Sequence, residues 1–480
     1  MFGTRYGRAI FAGILVIGVG VAGCCGTKST TVGSTTKPDL TPGALLAGAA
    51  AVEIPLAGGA ALAGYSAAPR RDISAATIVL AAAALSGHCV DPTPGDAAVM
   101  FHPALGKLDP IRARALILAN GVHKLAFVKL DTVGTSRKLR DDVFAHASTL
   151  GIAYEDLVVV ATHTHSGPGS VADKPLWQVA GTDCFSDLIY QQVLQGAKDA
   201  LTQAHAALQP AALGIGTTSQ SLASENRSGR PGVYDSELGV LKVTTTSGAP
   251  IAALFNFAVH GTALPASNML FSADCMGAME KVVETGVPGA VAIFTNGAEG
   301  DVAPVHKDAA GLVTEGALVG GDVVSLWPAI ATKSTVALAG AIHDVVMPAP
   351  RYNTGVGCLP LPESTDTLCD VFPSLPLAIA LSPTWLSTTL PFQALRIDDT
   401  VFAAVPGEPI TEIGWQIKAS AQARGFAHGF VLGLANDHGG YFTTLAEYQR
   451  GKYEGASTLY GPTTGDVVFT SVDGVLSEVQ

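Results

Sequence analysis

The chain has 480 residues, of which 48% are hydrophobic and only 14% charged, with 54 glycines and 28 prolines. So apolar a composition excludes a disordered protein and supplies material for one large core or two modest ones. The formal charge of −12, without any Lys/Arg-rich run, argues against a nucleic-acid partner, which needs a basic face to neutralise phosphates.

At the N-terminus Arg5 and Arg8 precede an uncharged apolar run, Ala9 to Ala22, that ends in Val21-Ala-Gly-Cys24. A positive start, an apolar stretch and a small-residue cleavage site make residues 1–23 an export signal. Cysteine at the first mature position marks the lipoprotein version, in which acylated Cys24 holds the protein at a membrane surface of the cell envelope. An ordinary cleaved signal with an incidental cysteine is the alternative. Thr27 to Pro42 is rich in Thr, Ser, Gly and Pro, so residues 24–45 are expected to form a flexible tether and residues 46–480 the folded domain. Export permits disulfides. Cys358 and Cys369, bracketing a Pro-rich stretch, are the first choice for a pair and Cys89 with Cys184 the second. Cys275, among apolar residues, is expected as a buried free thiol.

The elements then follow in chain order. Ile73 to Leu85 is an uncharged Ala-rich run, too short to span a bilayer. Strands are predicted at Lys124 to Leu130, Leu157 to Ala161, Ile251 to Val259 and Ala290 to Phe294, and further on at Val401 to Val405 and Gly429 to Leu434. Helices are predicted at Ser136 to Leu150, Cys184 to Ala207, Ala273 to Glu284, Asp322 to Val345 and Pro409 to Arg424. Leu375 to Leu395, punctuated by Pro376, Pro383 and Pro391, reads as core packing or buried loop, with an apolar lip to a lipid cleft as the sharper option. The alternation implies an α/β fold with a mixed or parallel sheet. Several strands run directly into His-, Asp-, Asn-, Glu- and Gly-dense segments, so the site is expected at strand carboxyl ends.

Ala161-Thr-His-Thr-His-Ser-Gly-Pro-Gly169 carries the first such segment. If the strand continues, His163 and His165 share a face and can enter one cavity, a common arrangement for zinc. A polar strand end is an equally good reading. His260 ends a second apolar strand in the same strand-to-glycine context. Thr295 to Pro304 reads as a Gly-rich turn with capping acids, and Glu408 as a carboxylate at a helix N-terminus. Gly439-Gly440 before Tyr441, with Tyr448, Tyr453 and Tyr460 following, points to close backbone approach or to aromatic packing.

Together these segments resemble the neutral/alkaline ceramidase family, in matching order over about residues 50 to 465. The matching pieces are Asp109-Pro-Ile-Arg-Ala-Arg114, the Thr-His-Thr-His-Ser-Gly-Pro-Gly block, Asn226-Arg-Ser228 and Phe257-Ala-Val-His-Gly-Thr262. Gly300-Asp-Val-Ala-Pro304, Gly407-Glu408, Asn436 through Gly440-Tyr-Phe-Thr-Thr444 and Glu447-Tyr-Gln449 follow, and Tyr453-Glu-Gly-Ala-Ser457 with Tyr460-Gly-Pro462 comes last. The resemblance is to the N-terminal catalytic domain, without the C-terminal β-sandwich domain. It implies one Zn2+ held by His163, His260, Glu408 and Tyr441, with His165, Arg227 and Tyr453 contacting substrate or moving protons. It further implies hydrolysis of the amide of a lipid-like N-acyl substrate such as ceramide by metal-activated water. The family carries serine where this chain has Ala303, which keeps two other readings open: an amidase for small non-lipid amides, and a zinc-containing envelope lipoprotein that binds lipid or a partner without catalysis.

Overall fold

The computed structural model describes residues 38–72, 74–89, 98–353 and 378–480. The export signal, Cys24 and the Cys358/Cys369 pair lie outside the described residues. Two sheets, packed face to face and covered by helices on both outer sides, make up the fold. The larger sheet has eight strands: β1 (Leu46–Glu53), β2 (Arg112–Ala119), β3 (Lys124–Leu130), β4 (Leu157–Ala161), β5 (Gln209–Ser219), β6 (Glu237–Thr245), β7 (Pro250–Phe257) and β8 (Val291–Asn296). Their spatial order is β8-β7-β6-β5-β1-β2-β3-β4. The β3–β4 and β7–β8 pairs are parallel and the others antiparallel, so the sheet is mixed. The smaller sheet runs β9 (Leu338–Val346), β10 (Thr389–Ile397), β11 (Thr400–Ala404) and β12 (His428–Leu432) in spatial order, with only β11–β12 parallel.

Between the sheets lies a core of Leu116, Phe127, Val158, Leu254 and Ile293 from the larger and Leu338, Leu395, Phe402 and Phe430 from the smaller. The Phe127 and Phe402 rings meet edge to face at 5.4 Å, and burying such a ring contributes roughly 2–3 kcal/mol. Helix α1 (Ala75–Leu85) buries Ala81 and Ala84 beside Phe101 and Cys184. On the outer face of β1–β4 sit α2 (Arg137–Ala147) and α3 (Asp187–Ala206), burying Val143, Ile189 and Val193 against Ala113, Ile117 and Val128. Helix α2 starts where the Ser136 side chain accepts from the Leu139 N–H, a standard N-cap. On the outer face of β6–β8, α4 (Asp274–Gly286) and α5 (Asp308–Leu326) bury Met276, Met279 and Val319 against Phe255 and Phe294. The smaller sheet is covered by α6 (Thr411–Ala423) and α7 (Thr464–Glu478), through Ile413, Ile417, Val468 and Val472. Strands buried on both faces read as continuous apolar runs rather than alternating ones, and β4 does so.

Several expectations need correction. The helix expected over Asp322 to Val345 is instead the end of α5, a short turn at Trp327–Ala329 containing Pro328, and then β9. Proline stops the helix, and the Ala/Gly-rich stretch behind it becomes a strand sandwiched between sheet and helix. The stretch Leu375 to Leu395 is core packing at its end, as one of its readings had it, and runs there into β10, a central strand. Residues 43–45 belong to the fold rather than the tether: Gly43–Ala44 pairs with Thr335–Val336, and Leu45 is buried. Of the two cysteine pairs considered, the second-choice pair, Cys89–Cys184, is bonded, and Cys275 is a buried free thiol.

Candidate metal centre

The larger sheet curls until its edges meet beside the site, where Asn296 Nδ2 at the end of β8 donates to the Thr162 carbonyl just past β4 at 3.2 Å. Five strand carboxyl ends open here: β4 leads to His163 and His165, β7 to His260, β8 to Glu299, β11 to Glu408, and β12 to His438 and Tyr441. Segment 434–436 ties the sheets together: Ala161 N–H donates to the Leu434 carbonyl and Asn436 N–H to that of Val159.

His163 and His165 converge, but not as residues of a continuing strand. Strand β4 ends at Ala161, and His163 has φ +69°, a left-handed conformation disfavoured for a side chain of this size. The turn brings the ring nitrogens Nε2 of His163 and His165 to 3.3 Å. A parallel bridge between Thr164 and Gly261 docks this turn on the residues after β7. Gly261 has to be glycine, since a Cβ there would lie 2.4 Å from the His163 carbonyl oxygen. Gly64, with φ +100°, abuts the His165 ring as closely, and Tyr65 meets that ring edge to face at 4.8 Å. The buried Arg70 guanidinium donates to the His165 carbonyl at 2.9 Å.

Nδ1 of His163 lies 2.6 Å from the Val133 carbonyl, and Nδ1 of His260 lies 2.8 Å from that of Glu299. A carbonyl can only accept, so in each neutral ring the proton sits on Nδ1 and Nε2 is left as a lone pair. Both Nε2 atoms stand 3.3 Å from the same oxygen, Oε2 of Glu408, which accepts no hydrogen bond among the described residues. The Tyr441 hydroxyl is 3.3 Å from His260 Nε2. These three atoms point at one centre, and although the Tyr441 hydroxyl and His165 Nε2 can each offer a proton to a ring nitrogen, nothing among the described residues donates to Glu408 Oε2, so a cation between the three relieves the repulsion. Their spacing matches the separation of about 3.4 Å that two ligands at about 2.1 Å make in a tetrahedral site. His163, His165 and His260 each offer a ring nitrogen, all within 4.8 Å of one another. The donor set therefore fits a metal ion.

Burial, then the Arg227 charge, pushes His260 down to about 3, which keeps the ring neutral. Arg227 donates from Nη2 to the Tyr441 hydroxyl and the Gly300 carbonyl, both at 2.9 Å, and from Nε to Glu454 at 2.9 Å. The Tyr453 ring stands edge-on to that of Tyr441 at 5.5 Å, with the Arg227 guanidinium 5.1 Å from its centroid. All seven residues singled out from the sequence thus meet in one place. Ala303 is buried in a two-strand ladder opposite Glu225.

Three groups at the site were not foreseen. His438 reaches the far oxygen of Glu408, Glu454 holds Arg227, and Glu299 lies fully buried behind the cluster. Glu299 belongs to the segment read as a turn with capping acids. That reading holds for Asp301, which accepts from the Thr411 N–H and hydroxyl at the start of α6. Position within the Asn436 to Gly440 stretch was the only signal for His438.

Fold and site together define an α/β protein with a metal-compatible imidazole–carboxylate–phenol centre between two sheets. The profile of the neutral/alkaline non-lysosomal ceramidase N-terminal region matches residues 102–315 and 375–469. The chain belongs to that family. It is 23% identical to neutral ceramidase A of Dictyostelium discoideum, over 74% of this chain and 65% of that protein. Identity to the neutral ceramidase of Pseudomonas aeruginosa is 25%, over 73% of this chain and 64% of that one. The chain thus spans about 65% of the length of these curated relatives. The crystal structure of neutral ceramidase from Pseudomonas aeruginosa has the same fold, with a TM-score of 0.72 at 22% identity over 90% of this chain and 74% of that one.

Proposed function

We propose that this protein is a zinc-dependent amidohydrolase that cleaves the amide of an N-acylated lipid of the ceramide type, at the surface of the cell envelope. The observation that carries this reading is the set of three acceptor atoms, Nε2 of His163, Nε2 of His260 and Oε2 of Glu408, gathered around one point. Two imidazoles, a carboxylate and a phenol suit zinc, so His163, His260, Glu408 and Tyr441 would hold it. When bound, zinc supplies Lewis acidity that polarises an amide carbonyl and brings the pKa of water to about 7.

The remaining steps fall to the chain's own groups. His165, whose Nε2 faces the cluster 3.3 Å from that of His163, takes the proton from attacking water and delivers it to the leaving nitrogen. The C–N bond then breaks to give a fatty acid and a free amine. Arg227, fixed by Glu454 and the Gly300 carbonyl, presents positive charge beside Tyr441, where the carbonyl oxygen gains negative charge, and Tyr453 lines the same side.

The test pairs metal analysis with turnover. Purified protein should carry about one zinc per chain and release fatty acid from a short-chain ceramide, and His163→Ala should lose both, the turnover by at least about 100-fold. Zinc-free wild-type protein, or full turnover by His163→Ala, overturns the reading. Because Ala303 stands in place of the family serine, small N-acyl amides belong in the same assay. Turnover of these alone would retain the centre and change the substrate.

A further inference from the structure

Glu408 can serve two imidazoles with one oxygen only if its carboxylate is prevented from rotating. Its other oxygen, Oε1, lies 3.2 Å from Nε2 of His438, whose side chain is only 14% exposed. That ring is itself fixed on several sides. The Trp177 indole meets it edge to face at 4.6 Å and donates from Nε1 to the His438 carbonyl at 3.1 Å. On another side lies Gly134, where even a Cβ would come within 2.9 Å of His438 Cδ2. The backbone is pinned too, with the His438 N–H donating to Asp437 Oδ1 at 2.8 Å and the Glu408 N–H to the Gly440 carbonyl at 2.9 Å. Nδ1 of His438 has no hydrogen-bond partner among the described residues, so the contact with Glu408 is the one the ring makes through its nitrogens.

We infer that His438 is a positioning residue for the metal centre: Nε2–H donates to Glu408 Oε1 and so aims Oε2 at the point between His163 and His260. Trp177, in the short helical stretch Pro175–Trp177, keeps the ring in place. The inference rests on the zinc reading above. A ligating carboxylate whose free oxygen is hydrogen-bonded keeps its orientation between binding events, and loss of such outer contacts typically weakens metal affinity 10- to 100-fold.

The experiment measures zinc affinity of the full chain by competition with a chromogenic chelator, alongside thermal unfolding of the zinc-free form. Three variants are compared with wild type. His438→Gln keeps an N–H donor near the position of Nε2, His438→Asn places it too far back, and His438→Phe keeps a ring without a donor. The Phe and Asn variants should bind zinc about 10- to 100-fold more weakly, while Gln stays within about 5-fold of wild type. Zinc-free melting temperatures should be alike. Should the Phe variant fail to fold, the Gln/Asn contrast decides the same question. Equal affinity in all three variants, or equal weakening of Gln and Asn, overturns the inference, as does complete loss of zinc in Asn, which would make His438 a ligand. Failure of wild type to bind zinc would instead overturn the parent reading.

Discussion

Glu299 is fully buried, with both carboxylate oxygens free of hydrogen bonds among the described residues and Oε2 facing the open side of Gly433. Burial first, and then the charge of Glu408, pushes its carboxyl well above the usual glutamate range. The group therefore enters the folded state carrying a proton. An acid whose folded pKa is raised contributes stability below its unfolded value, near 4.5, and loses that contribution as pH rises through the folded value. Glutamine copies the protonated form in shape and charge. With metal chelated throughout, Glu299→Gln should melt within about 2 °C of wild type at pH 5 and gain on it steadily towards pH 9. A difference that shrinks or changes sign as pH rises would show that the buried group is ionised. His260 is spared by this substitution, because it is held by the backbone carbonyl of Glu299. Such a residue is invisible in sequence, where a glutamate in a Gly-rich turn looks like a cap.

Strand β10 shows which parts of the fold were readable and which were not. Strands β3, β4, β7, β8, β11 and β12 stand out as β-branched or aromatic runs ending in polar, Gly-containing segments, and all six are found within a residue or two of their expected bounds. They are also the strands, β3 apart, that deliver the site, so most of the site was legible with them. Strands β9 and β10 lack that signature. β9 is Ala/Gly-rich at its start, and β10 contains Pro391, which sits before the stretch paired to β11, where its missing N–H costs no bond to that strand. The residue that matters most in β10 is Gln393, fully buried, which donates to the Glu155 and Leu157 carbonyls and accepts from Asn436 Nδ2. It thus joins the start of β4 to the segment leading to His438 and Tyr441. Gln393→Leu takes their side-chain partner from Asn436 Nδ2 and the Glu155 carbonyl, while the Leu157 carbonyl keeps Arg140 Nη2 at 3.3 Å, and should lower stability by about 2–4 kcal/mol, read as a shift of the urea midpoint at unchanged slope. A loss under about 0.5 kcal/mol would mean that water or local rearrangement replaces the bonds.

On the scale of the whole molecule, the proposed ligands divide evenly between the sheets. His163 and His260 follow β4 and β7 of the larger sheet, and Glu408 and Tyr441 follow β11 and β12 of the smaller. The apolar core between the sheets is non-directional and tolerates small displacements, whereas a metal site fixes its ligands to a few tenths of an ångström. A bound ion would therefore act as a cross-link between the two layers at the end where the larger sheet's edges meet. Binding to the folded form alone adds about 4 kcal/mol of stability when free metal is 1,000-fold above Kd. For a chain of this size, with an unfolding entropy near 2 cal/mol/K per residue, that corresponds to roughly 4–5 °C in Tm. Chelation should lower the Tm of wild-type protein by about this amount and restoring zinc should reverse it, while His260→Ala, from the larger sheet, and Glu408→Ala, from the smaller, should show no chelator-dependent shift. The symmetry of that result is what the cross-link demands. A shift that survives either substitution would place the stabilising ion somewhere other than between the sheets.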